Sequence, residues 1–247
     1  MELNMILAGI VGSTAYGMAN ENSDIDMLGV YQAPTRDVLG LHDVEQSKVG
    51  HDPDWQAHEL GKLFKLCLSC NPTVSEILWL PEELYAIRTP AADAVIDIRQ
   101  GFLSTKAFKS YGGYARQQFH RLKADGNVGF DADKRTPEKI AKHGRHLARL
   151  VLQGAHLMMT GEILVRLEPQ DRDFCFSIGD RVGEFERIRL EQGELTEAQR
   201  QAAYGEVEEL LDWYDFLGPK SILPAQPDLE GVNKVLVDLR LADLGAM

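Results

Sequence analysis

A chain of 247 residues, 44% apolar and 26% charged, is long enough for one large domain or two small ones and has the make-up of an ordinary soluble globular protein. No run of 18 uncharged apolar residues occurs, and no basic stretch followed by a long apolar core opens the chain, so neither a membrane span nor a secretory signal is expected. The net charge of −12 argues against binding nucleic acid through the whole surface, and three cysteines, an odd count with no disulfide framework, suit a reducing cytoplasm.

The apolar run MILAGIVG predicts a buried strand from Met5 to Val11, ending in glycine. Small and polar residues follow, and DIDMLGVY then alternates as a second strand from about Ile25 to Tyr31. Pro34, Gly40, Gly50 and Pro53 punctuate a loop-like stretch, with a third strand at Val44 to Val49 or a short one at Asp54 to Ala57. From Glu59, Leu60, Leu63, Phe64 and Leu66 to Leu68 recur at helical spacing until Asn71-Pro72, which caps and starts a further helix to about Leu80. Cys67 and Cys70 have C-x-x-C spacing but fall inside that apolar period, which assigns them to the core; a zinc site would need a second pair.

Beyond residue 100 the pattern becomes helical. Ser104 caps a helix to about Lys123, ADGNVGFDAD breaks it, and Thr136-Pro137 starts another to about Thr160, with Gly161 beyond its end. ILVRL reads as a short extended piece. TEAQ from Thr196 is a capping-box pattern opening an acidic helix to about Phe216, and a last helix spans roughly Val232 to Asp243. The segment from Lys106 to Arg149 carries eleven Lys/Arg against four Asp/Glu, so this one stretch of an acidic chain has room for something anionic.

The chemistry is concentrated in GSTAYGMANENSDID, residues 12 to 26. On a strand, residues two apart face the same way, so Asp24 and Asp26 aim two carboxylates in one direction. Like charges so close repel unless a cation lies between them, and a hard divalent ion is the natural partner. Magnesium, with manganese as its substitute, takes one or two protein carboxylates and completes its shell with phosphate oxygens. Gly12-Ser13, directly after a strand, forms a tight turn whose N–H groups and hydroxyl can grip a phosphate. Lys62 and Lys65, on the helix after Asp54, are within reach of phosphate or simply solvated. Lys142, Arg145, His146 and Arg149 share or adjoin one helical face, a second place for a triphosphate or an acceptor; His143-x-x-His146 lacks a third metal ligand. Tyr114 and Arg116 suit a base and a phosphate, or a core tyrosine and its neighbour.

Gly-Ser, about ten residues, then D-x-D on a strand is similar to the signature of the DNA polymerase beta nucleotidyltransferase superfamily. The blocks GSTAYG…SDIDMLGVY, DWQAHELGKLFKLCLSCNPTVSEIL, SYGGYARQQ and KHGRHLARL, in that order, resemble the predicted nucleotidyltransferase family linked to RNA repair. The resemblance covers about residues 8 to 150. It implies an α+β fold with a polymerase beta-like mixed sheet and flanking helices, and the change of pattern near residue 100 divides the chain into a nucleotidyltransferase core, residues 1–100, and a mostly helical domain, residues 101–247. It also implies a third carboxylate, matched by Asp54 with Asp52 and Glu59 as near rivals, and so a two-metal site on Asp24, Asp26 and Asp54. Gly12, Ser13, Lys62, Lys142 and His146 then bind the NTP. Thr14 departs from the family, which often has a basic residue after the Gly-Ser. The expected function is a magnesium-dependent transfer of NMP from an NTP to an acceptor hydroxyl, an RNA 3′ end being the acceptor the family link suggests, with a protein or small molecule as other acceptors. The rival from another class is a non-catalytic nucleotide-binding or antitoxin-like interaction module; a phosphohydrolase built on His51-Asp52 rests on a single dipeptide.

Overall fold

The apolar run Met5–Val11 forms β1, the strand on which the sheet is built. The structure, a computed structural model, describes residues 3–21, 23–51, 54–123 and 135–245. β1 leads straight into a five-residue helix, α1 (Gly12–Tyr16), and then into β2 (Asp26–Tyr31). After α2 (Thr35–Leu39), both of the segments considered for a third strand are strands, β3 (Ser47–Gly50) and β4 (Trp55–Glu59). With β5 (Tyr85–Arg88) they form one sheet in the order β3-β4-β2-β1-β5. β1 runs antiparallel to β2 and β5, β4 runs parallel to β2, and β3 antiparallel to β4. This is the mixed sheet with flanking helices that the sequence predicts.

α3 (Leu60–Leu68) buries Leu60, Leu63, Phe64 and Cys67, the residues of its apolar period, and the ring of Phe64 meets Phe102 edge-on at 5.1 Å. The helix expected over Pro72 to Leu80 is instead a turn followed by a 3-10 helix, Ser75–Trp79. The Asn71 side chain accepts from the N–H groups of Thr73 and Val74, which favours a turn over a regular helix start. α4 (Pro90–Asp97) carries the same Thr-Pro start signal as the helix at Thr136, with the Thr89 hydroxyl accepting from Ala92 N–H. ILVRL is not a strand of the sheet, although Ile163, Val165 and Leu167 are buried on alternate positions. All three cysteines are buried and unbridged, and burial pushes the thiols of Cys67 and Cys175 up to about 12, so they are core residues.

The described chain forms two compact units, each assembled from separate stretches of sequence. One unit comprises Met1–Ala107, Gly161–Arg166 and Leu223–Met247; the other comprises Phe108–Thr160 and Leu167–Ile222. The reason is the last helix, α9 (Leu229–Gly245), which is tied into the sheet unit by polar contacts. Gln32 Nε2 donates to Leu239 O, Thr35 N to Asp243 Oδ2, and the Arg240 guanidinium holds Glu59 at 2.6 Å.

The second unit consists of α5 (Lys106–Lys123) from Phe108 onward, α6 (Pro137–Thr160), α7 (Pro169–Gln192) and α8 (Glu197–Leu217), the last opened by the expected Thr196/Gln199 capping box. α7 was not expected from the sequence. Its buried face, Cys175, Ile178, Gly179, Val182, Gly183 and Glu186, has regular helical spacing but includes two glycines and a carboxylate, which disguise the apolar stripe. Those glycines admit α6: a Cβ on Gly179 would lie 2.8 Å from Ala141 O, and one on Gly183 3.0 Å from Pro137 O.

Candidate active site

Sheet polarity brings most of the expected site residues to one end of the first unit. β1 ends at Val11, which pairs with Asp26 at the start of β2, and Gly12-Ser13 follows at once. The parallel register of β2 and β4 sets Met27 opposite Trp55, and Met27 N–H donates to Asp54 O at 3.0 Å. The backbones of Asp26, at the start of β2, and Asp54, just before β4, are therefore lateral neighbours. Asp24 lies two residues before Asp26 in the turn rather than on the strand, because pairing with β1 ends at Asp26. All three aspartates are exposed.

Gly12 has φ +69°, a left-handed conformation that favours glycine, and a Cβ there would lie 2.4 Å from Asp26 Oδ2. The Gly12-Ser13 turn and the first strand carboxylate thus touch, which only a glycine permits. Asp54 Oδ1 lies 3.0 Å from Nδ1 of the exposed His51. Among the described residues, no three His, Cys, Asp or Glu side chains meet closely enough to hold a metal ion. In kind the donors suit magnesium or manganese: they are hard, solvent-exposed carboxylate oxygens, and the buried thiols take no part.

Two residues considered for this site are occupied elsewhere. Glu59, a rival for the third carboxylate, is 2% exposed at the opposite end of β4 from Asp54. There it caps α3 through Gly61 N–H and pairs with Arg240. Lys62 is also at that far end, donating to Ser47, whose strand partner is His58. Four residues of strand separate His58 from Asp54, about 13 Å. Asp52 lies outside the described residues.

Lys142 and His146 belong to α6 in the second unit. Lys142 is exposed. His146 is turned inward, its Nδ1 3.0 Å from Arg149 Nη2; since a guanidinium only donates, Nδ1 accepts and the ring is neutral. Burial first, then Arg149 beside it, holds its imidazole well below the ordinary range. The unfolded chain therefore takes up the proton first as pH falls through about 6.5, so the stability this neutral ring contributes is complete above that pH and lost below it. His143 and His58 are displaced the same way, mainly by burial. The melting temperature is expected to fall from pH 7 to pH 5, and His146→Gln, which keeps an acceptor for Arg149, to flatten that slope. Equal slopes in calorimetric scans of the two proteins would contradict the assignment.

The basic stretch between Lys106 and Arg149 finds much of its anionic partner within its own unit. Arg116 pairs with Asp215, Lys123 with Glu208, Arg135 with Glu186 and Arg145 with Asp180, all acids of α7 and α8. Glu186, 2% exposed, also holds Arg189; burial works to raise its carboxyl, but the hydrogen bonds from Arg189 and Arg135 outweigh it and keep it below the usual range. Tyr114 is half-buried on α5.

Residues 1–238 match the model of the RNA repair pathway DNA polymerase beta family. Over 138 residues, 51% of this chain, the sequence is 25% identical to an uncharacterised 38.9 kDa protein of Enterobacteria phage T4 from the nrdC-mobD intergenic region, and the match spans 40% of that relative's length. A solved nucleotidyltransferase-like protein from Exiguobacterium sibiricum 255-15 aligns with 99% of this chain and 83% of its own, at 15% identity and a TM-score of 0.35. No helix among the described residues is long and apolar enough to cross a membrane.

Proposed function

This chain belongs to the RNA repair pathway DNA polymerase beta family, and from that premise we propose that it transfers a nucleoside monophosphate from an NTP to an acceptor hydroxyl, an RNA 3′ end first among the candidates. Family membership supports nucleotidyl transfer in general; the acceptor, the nucleotide and the ions are this proposal's own. The observation that supports it most is the sheet register that makes Asp26 and Asp54 neighbours beside the Gly12-Ser13 turn.

In this reading the N–H groups of Gly12 and Ser13 and the Ser13 hydroxyl hold the triphosphate, and Asp24, Asp26 and Asp54, which are not gathered into a three-ligand cluster on their own, would hold two magnesium ions together with its phosphate oxygens. When bound, those ions supply charge neutralisation on the α-phosphate and on the departing pyrophosphate. The acceptor oxygen forms a bond to the α-phosphorus as the bond to the bridging oxygen breaks, and pyrophosphate leaves with the electron pair. Asp54, exposed at the sheet end, is the group to accept the hydroxyl proton. The rest is positioning: both substrates must meet in line at a charged, rigid sheet end.

The test is to incubate the protein and magnesium with each of the four labelled NTPs against tRNA, generic RNA and a cell extract. Label in one acceptor with matching pyrophosphate release is expected. Tight NTP binding without pyrophosphate release under every condition would overturn transfer in favour of a non-catalytic nucleotide-binding module.

A further inference from the structure

The turn that begins at Gly12 has little means of holding its own shape. α1 is only five residues long, far below what is stable alone, and its buried side chains are Ala15 and Tyr16. Its ends are set by left-handed glycines, Gly12 at φ +69° and Gly17 at φ +73°, with Met18 N–H donating to Ser13 O at 2.9 Å. A polar tie from Tyr16 reaches out of it. The Tyr16 hydroxyl donates to Glu76 Oε1 at 2.9 Å, across sixty residues of sequence and inside the core.

Glu76 is 2% exposed, on the 3-10 helix Ser75–Trp79 between buried Ser75 and Ile77. That segment is itself anchored: Asn71 fixes the turn before it, and the Tyr85 hydroxyl donates to Ile77 O at 2.8 Å. A buried carboxylate is expensive, and an apolar side chain would fill the space without desolvating a charge. What a carboxylate adds is a directional grip on the one side chain that ends α1.

We propose that Glu76 is a positioning residue that fixes the Gly12-Ser13 turn for phosphate through its hydrogen bond to Tyr16. The nucleotide part of this rests on the transferase reading above; the mechanical part does not. Tyr16→Phe removes one oxygen and breaks the tie, Glu76→Leu removes the acceptor, and Glu76→Gln keeps an acceptor oxygen for the tyrosine.

The experiment measures amide hydrogen exchange over Gly12–Met18 together with ATP affinity. In Tyr16→Phe and Glu76→Leu, exchange in that segment is expected to quicken about tenfold relative to the rest of the sheet unit, with ATP bound about tenfold more weakly; Glu76→Gln should restore both. A Tyr16→Phe protein with unchanged exchange there, or with a uniform rise everywhere and unaltered ATP affinity, overturns the proposal. Should Glu76→Leu fail to fold, Tyr16→Phe decides. Exchange needs no nucleotide, so it scores the tie even if the parent protein binds no ATP, a result that would count against the transferase reading instead.

Discussion

Asp26→Asn is expected to lower nucleotidyl transfer by about 10³-fold or more while leaving the melting temperature within a few degrees of the parent's. The two halves of that expectation have separate causes. Asp26 is exposed at the first position of β2, so an amide of the same shape loses no packing. What it loses is the negative charge beside the turn that would carry the triphosphate, where a preorganised electrostatic contact is worth about 3–4 kcal/mol or more in the transition state. Pyrophosphate release measured in single-turnover mixtures checks it. Equal turnover by mutant and parent would remove Asp26 from the reaction.

Arg240→Ala is expected to destabilise the sheet unit by about 3–5 kcal/mol, because it leaves the Glu59 carboxylate in the core without its cation. Glu59 is 2% exposed, and Arg240 does more than neutralise it: Nη1 also donates to Ala33 O at 3.2 Å. Urea unfolding at neutral pH gives the figure. Adding Glu59→Gln to Arg240→Ala should recover part of the loss, since the stranded charge is then gone. A loss below about 1 kcal/mol in the single variant would show that α9 is not held by this pair.

The sequence carries the sheet end well because its signals are local and unusual there. An apolar run closed by Gly-Ser and a D-x-D before an alternating strand identify the ends of β1 and β2, and the family resemblance picks out Asp54 immediately before β4. Register, which makes Asp26 and Asp54 neighbours, is a property of pairing across thirty residues and has no local signature. β5 was missed because a four-residue edge strand with three exposed positions shows no alternation, and α7 because glycines and Glu186 stand in its buried stripe. Lys62 shows the limit most plainly. A lysine on the helix after a site carboxylate looks close in sequence, yet β4 lies between them and carries it to the other end of the sheet. Glu59 is the converse: its partner Arg240 is 181 positions away, a separation at which no sequence pattern operates.

The return of α9 to the sheet has a consequence for the order of events on the ribosome. The second unit draws on no residue beyond Ile222, whereas the sheet unit includes Leu223–Met247. The strands made first must wait with Glu59 uncompensated until residues 229–245 have been translated. The sheet unit therefore cannot complete its Glu59–Arg240 pair until the last helix has been made.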